Sequence, residues 1–235
     1  MYRYAEEAGT AALLNIIIDI DFLSPTKLIC ADQSNHCLRL ADLSLSPPET
    51  STFAGRCTVS GNVDGHRVNS TLFNYPRYTE VNNNNSFLFV LDFNNNLHKI
   101  DLITNIVKKL ATFANKPYDM KIFDDSLLYF TQEHQITLFN INTQEENVVA
   151  GALTNGSAIG SFEHTRFYSP RDLLQWRDEV NTLLLVADKD NDRFASFIYN
   201  LRIQLVFIEY IGVNVFSTFT EQHPKPVGAI ISLTL

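Results

Sequence analysis

Apolar and polar positions along this chain fall into short runs, either alternating or apolar throughout, which are the patterns of half-buried and fully buried strands. One arrangement recurs. Residues 28–42 read LICADQSNHCLRLAD: an apolar run, Ala-Asp, a polar turn, then an alternating run. Residues 184–200, LLVADKDNDRFASFIYN, repeat it closely, and 87–101, FLFVLDFNNNLHKID, repeat it with a turn one residue shorter. A fourth version, SLLYFTQEHQITLFN at 126–140, keeps the pattern with Thr131 where the others carry Asp. Repetition at this scale decides the fold before any single motif does.

Around each copy the pattern predicts a set of four strands. The first covers 15–22, 27–31, 37–42 and 50–54, and the second 78–81, 87–91, 97–101 and 107–113. A third covers 118–123, 127–131, 135–140 and 146–150, and a fourth 172–176, 182–187, 193–199 and 204–212. Four antiparallel strands in roughly 40 residues, each too short to fold alone, make one propeller blade. The chain is therefore predicted to be all-β: a β-propeller with blades near 15–55, 77–113, 117–151 and 171–212, and 213–235 opening a partial fifth. A single domain over 1–235 holds them all. Long polar connections at 56–74 and 152–166 precede the second and fourth blades, and residues 1–14 read as loop.

Composition adds limits. At 235 residues and 45% hydrophobic, the chain can fill such a core. A formal net charge of −8 with no basic stripe makes nucleic acid an unfavoured partner, because phosphate binding depends on clustered Lys and Arg. No run approaches the roughly 18 consecutive apolar residues of a membrane-spanning helix. Cys30, Cys37 and Cys57 are odd in number and match no zinc spacing, so buried free thiols are expected, with a Cys37–Cys57 bridge as the alternative. Asn69, Asn84 and Asn155 begin Asn-x-Ser/Thr sequons in predicted loops, which tilts the location toward the extracellular or surface-exposed side.

The repeating cycle resembles the NHL repeat. The matching pieces are Phe73-Asn74-Tyr75-Pro76-Arg77, Phe167-Tyr168-Ser169-Pro170-Arg171, Ala31-Asp32 with Asn35-His36, Ala187-Asp188 with Asn191-Asp192, and Lys99-Ile100-Asp101. Propellers of this kind usually have six blades, so the resemblance implies a fragment or an incomplete ring, with an intact four- or five-bladed ring as the alternative. It also implies a non-catalytic scaffold that binds a protein or peptide, without cofactor or metal. Two other readings come with the family: a zinc-dependent amidating lyase, for which His36, His66, His134 and His164 are the available suppliers, and an RNA-binding propeller.

The recurrent Asp is expected to close an Asx-turn by accepting a hydrogen bond from the amide two residues on. In a blade, the turn between second and third strands and the connection between blades open on one face. That topology predicts a rim carrying His36, Asp64, Arg67, Arg77, His134, His164, Arg171, Asp190 and Arg193 as candidate binding residues. Arg77 and Arg171 follow Pro at equivalent places and suit carboxylate or phosphate. No nucleophile, base and orienting group are spaced to suggest catalysis.

Overall fold

The computed structural model describes residues 4–158, 164–177, 181–200 and 206–212. They form four antiparallel sheets arranged as a four-blade propeller. Blade 1 is β1 (Ile17–Ser24), β2 (Lys27–Asp32), β3 (Cys37–Asp42) and β4 (Glu49–Ala54). A two-residue strand in the following connection, β5 (Gly65–His66), was not foreseen from the sequence; it joins the outer edge of blade 2. That blade is β6 (Pro76–Val81), β7 (Phe87–Asp92), β8 (Asn96–Asp101) and β9 (Ile106–Thr112). Blade 3 follows with β10 (Pro117–Asp124), β11 (Leu127–Gln132), β12 (Gln135–Asn140) and β13 (Glu146–Gly151). Blade 4 has β14 (Pro170–Arg177), β15 (Asn181–Asp188), β16 (Arg193–Asn200) and β17 (Val206–Gly212). The expected partial fifth blade, 213–235, lies outside the described residues.

Successive blades are glued by three separate apolar cores. Ile29, Ala31 and Leu38 of blade 1 meet Phe73, Leu88 and Val90, while Phe89 and Leu91 point the other way, onto Met120 and Phe130 of blade 3. A middle blade is thus buried on both faces, which is why β7 reads as an unbroken apolar run. Phe123, Ile136 and Phe167 join Leu173, Leu184 and Val186 in the third core.

The first strands β1, β6, β10 and β14 stand side by side at the centre. They are joined by carboxylates of one blade that accept backbone amides of the next. Asp19 accepts from Thr79 at 2.7 Å, Asp21 from Val81 at 2.6 Å, Glu80 from Ile122 at 3.2 Å and Asp119 from Leu173 at 2.7 Å. With Asp19 and Asp21 facing blade 2, the opposite face of β1 is left to Ile18, Ile20 and Phe22, all exposed.

Glycine ends two blades for the same reason. Gly55 (φ +84°) and Gly151 (φ +89°) follow β4 and close β13, and the lead-in Phe73 or Phe167 of the next blade packs where a Cβ would stand.

Cysteine is where the structure departs from the sequence reading. Cys37 and Cys57 are joined as a disulfide, with Cα atoms 5.0 Å apart, and only Cys30 is a buried free thiol. The chain doubles back after β4 and brings Cys57 to the start of β3, a juxtaposition that cysteine spacing does not reveal. The N-terminal loop is also more than loop: bridges Ala5↔Leu13 and Ala8↔Glu49 strap it across blade 1.

Candidate functional site at the channel mouth

The recurrent Asp is a latch. Only Asp92 behaves as an Asx-turn acceptor, taking the amides of Asn94 and Asn96 at 2.9 Å each. Asp32 and Asp188 reach backward instead, to Asn15 at 2.8 Å and Tyr168 at 2.7 Å, each two residues ahead of the blade's first strand. They bind Asn35 and Asn191 as well, so one carboxylate ties the turn to the lead-in of its own blade. Each Asp also meets a basic partner: Arg39 at 3.5 Å, His98 at 3.3 Å or Arg193 at 2.7 Å. In blade 3 the equivalent position is Gln132, not Thr131, because Pro117 pairs with Gln132 as Pro76 pairs with Asp92 and Pro170 with Asp188.

Histidines extend the latch from blade to blade. The Nδ1 atom of His36 accepts the Tyr75 amide at 3.2 Å, and that of His134 accepts the Ser169 amide at 3.4 Å. Tyr75 and Ser169 have positive φ just ahead of Pro76 and Pro170, which turns their amides toward the preceding blade. Burial pushes the His36 imidazole down, so it stays neutral in this role. Arg193 donates to Ser157 and Arg166 carbonyls besides Asp188. Asp64 and Arg67 lie along the outer edge of blade 2: Asp64 accepts the Lys109 amide at 2.9 Å, and Arg67 donates to Asn105 at 2.6 Å and to the Phe53 carbonyl. His164 is exposed in the connection ahead of blade 4. Among the described residues no three of His, Cys, Asp and Glu converge as a metal ion would require.

Arg77 and Arg171 stand apart from this bracing. Each first strand shifts register against its second by one residue after the Pro, leaving Arg77, Tyr118 and Arg171 without a cross-strand partner. Such bulges re-aim side chains. These three point toward one place, where Lys116, just ahead of β10, joins them. The Lys116 ammonium lies 5.4 Å from the ring centres of both Phe93 and Tyr118; the Arg171 guanidinium stacks on Tyr118 at 3.6 Å, and that of Arg77 sits 5.1 Å from Tyr78 and 6.0 Å from Phe93. Three cations interleaved with aromatic rings therefore line the mouth of the channel. Asp190 flanks it, held by Lys189 at 3.0 Å and by Ser169, its carboxyl pulled below the usual range. Sequence reasoning found Arg77, Arg171 and Asp190 but missed Lys116, Phe93, Tyr78 and Tyr118. The signal was the shared position after proline, which Tyr118 occupies as the arginines do.

No family model matches the sequence, and no curated protein does. Solved structures match by fold. An auxiliary nutrient binding protein from Bacteroides ovatus superposes with a TM-score of 0.61 at 12% identity, over 84% of this chain and 48% of that one. Kuenenia stuttgartiensis hydrazine synthase gives 0.55 at 15% identity, over 85% and 50%. The β-propeller domain of Myceliophteria thermophila Cps50 (Swd1) gives 0.52 at 12% identity, over 90% and 58%. The chain spans about half the length of the first two structures. At these identities the likeness establishes the propeller fold alone.

Proposed function

We propose that this chain is a non-catalytic scaffold of NHL-repeat type, a single propeller over 1–235, which binds a protein or peptide through the rim formed by the turns between second and third strands and the loops between blades. The observation that carries the reading is the channel mouth. Bulges at the same place in three successive blades bring Arg77, Tyr118 and Arg171 together, while His36, His134 and Arg193 are spent on holding the blades in register. A rigid frame with half-buried cations and exposed aromatic rings at one opening is a recognition surface. Phe93 and Tyr168 are 54% and 41% exposed there, large rings that the fold itself does not bury. An extracellular or surface-exposed location accords with the Cys37–Cys57 disulfide and with exposure of all three sequon asparagines, Asn69, Asn84 and Asn155.

Selection of a phage-displayed random peptide library on the full chain tests the reading. Binders are expected to lose affinity for the protein carrying Phe93→Ala and Tyr168→Ala. Binders that hold equally well to that variant would place recognition elsewhere, and a selection that yields none would remove the scaffold reading.

A further inference from the structure

The rim has a chemical preference, and it lies in the three cations at the channel mouth. Arg77, Lys116 and Arg171 come from blade 2, the loop ahead of blade 3, and blade 4, so only the assembled propeller brings them together. None of them forms an ion pair among the described residues, whereas Arg39, Lys121 and Arg193 each do. The Nε atom of Arg77 is buried without a hydrogen-bond partner there, and the Arg77 Nη2 donates at 3.3 Å to the Tyr78 hydroxyl. Burial, and then the charges of Arg77 and Arg171, push the Lys116 ammonium down, as expected of like charges held close. Asp190, whose charge reaches Arg171, is already occupied by Ser169 and Lys189. In a chain of net charge −8, three cations gathered with no ion pair of their own among the described residues are a local concentration of positive charge.

We propose that Arg77, Lys116 and Arg171 form an anion pocket that receives the carboxylates of an acidic peptide segment, with Phe93 and Tyr118 against the apolar atoms of the same segment. The inference rests on the scaffold reading and names the ligand chemistry for it. A guanidinium held 3.6 Å from the Tyr118 ring centre keeps its N–H donors at its edge, in the fork that suits bidentate contact with a carboxylate. The aromatic rings lower the local dielectric and hold the cations in place. A nucleic acid fits less well: the cations gather at one opening with the charge of Asp190 beside them, and among the described residues no basic stripe continues from it along a phosphate backbone.

The test is fluorescence anisotropy of a fluorescein-labelled hexaglutamate peptide with the full chain at low salt. Arg77→Gln, Lys116→Gln and Arg171→Gln are each expected to weaken binding by about tenfold, the loss of one charge-assisted hydrogen bond or more. Lys108→Gln on the exposed edge of β9 is expected to leave it unchanged, and Arg171→Lys to fall between wild type and Arg171→Gln. Far-UV circular dichroism and thermal melts identify any variant that fails to fold, in which case Arg171→Lys and Lys116→Gln carry the result. Hexaglutamate binding indifferent to all three substitutions, no hexaglutamate binding at all, or tighter binding of a labelled single-stranded oligonucleotide of equal charge overturns the pocket. If library-selected peptides still occupy the rim but lack Asp and Glu, the pocket fails and the scaffold reading stands. If no peptide is selected, both fail.

Discussion

At the scale of single residues, Arg39 ties several separate parts of the fold together. Fully buried, it meets Asp32 at 3.5 Å and donates to the carbonyls of Ala5 at 3.0 Å and Leu13 at 3.4 Å, with its guanidinium 4.8 Å from the Tyr4 ring centre. Removing it strands the Asp32 carboxylate and unfastens the N-terminal strap. Arg39→Met is expected to cost about 3–5 kcal/mol in urea unfolding, and the double change Asp32→Asn with Arg39→Met to cost less than the single one, because it leaves no unpaired buried charge. A double variant as unstable as Arg39→Met would show that the pair acts through shape alone. Cys30 offers a second check. Burial, followed by the charge of Asp32, pushes its thiol up, so iodoacetamide is expected to leave it unmodified until the protein unfolds and then to alkylate one site only, Cys37 and Cys57 being bonded. Alternation along β3 puts Arg39 on the face opposite Leu38 and Leu40, and that much is legible in the sequence. What it faces is not, since the strap reaches it from residues 5 and 13 across a separation that no local pattern encodes.

At the scale of elements, strand positions were legible to within a residue or two because each strand ends at a turn with its own chemistry, such as Asp-Gln-Ser-Asn-His or Asn-Asn-Asn. The two-residue β5 was invisible for the opposite reason: Gly65 and His66 have no apolar period, and only the neighbouring edge of β9 makes them a strand. The latch was half legible. Alternation identified the recurrent Asp, but the register that makes Gln132 its fourth equivalent depends on the bulge after Pro117, which shifts pairing without changing composition. The junction between blades gives a direct prediction. A Cβ at Gly151 would stand 2.3 Å from the His134 carbonyl oxygen and 3.0 Å from the Gln135 Cα, both backbone; at Gly55 the equivalent backbone atoms, the His36 oxygen and Cys37 Cα, lie farther off at 3.1 and 3.3 Å, with the Phe73 ring at 2.9 Å. Positive φ adds strain at both. Gly151→Ala is expected to cost about 2 kcal/mol or more and Gly55→Ala less. Equal losses in urea midpoint would show that backbone conformation, and not the close approach of the next strand, sets the cost.

At the scale of the whole molecule, the blades converge on a channel lined by acids, and this sets a pH dependence of uncommon sign. Burial pushes the carboxyls of Asp19, Glu80 and Asp119 up, opposed by the amides of Thr79, Ile122 and Leu173 and by Lys121. Burial holds Asp119 well above the ordinary carboxyl range, and the hydrogen bond and charge of Asp172 add to it. Burial works against the Lys121 ammonium, but Glu80 at 2.7 Å and Asp119 hold it above the ordinary lysine range, so it stays charged throughout. A carboxyl raised in the folded state contributes stability that is complete below its unfolded pKa and is lost as pH rises through the folded value. Acidification from neutrality to about pH 5 therefore lets the folded channel take up protons before the unfolded chain does, which favours the fold. Glu6, Asp42, Asp101 and Asp190, whose carboxyls are pulled down, act in the opposite direction, as does His36. A single substitution separates the two groups. Asp119→Asn keeps an oxygen to accept the Leu173 amide but removes the titration, while every opposing group remains in both proteins. The melting temperature of the variant is expected to rise relative to that of the wild type as pH increases from about 5 to 8, because only the wild type carries the raised carboxyl whose contribution is lost on that side. A variant that instead gains on the wild type on acidification would mean that the ionised carboxylate is what binds blade 3 to blade 4, and that Lys121 outweighs burial at the centre of the propeller.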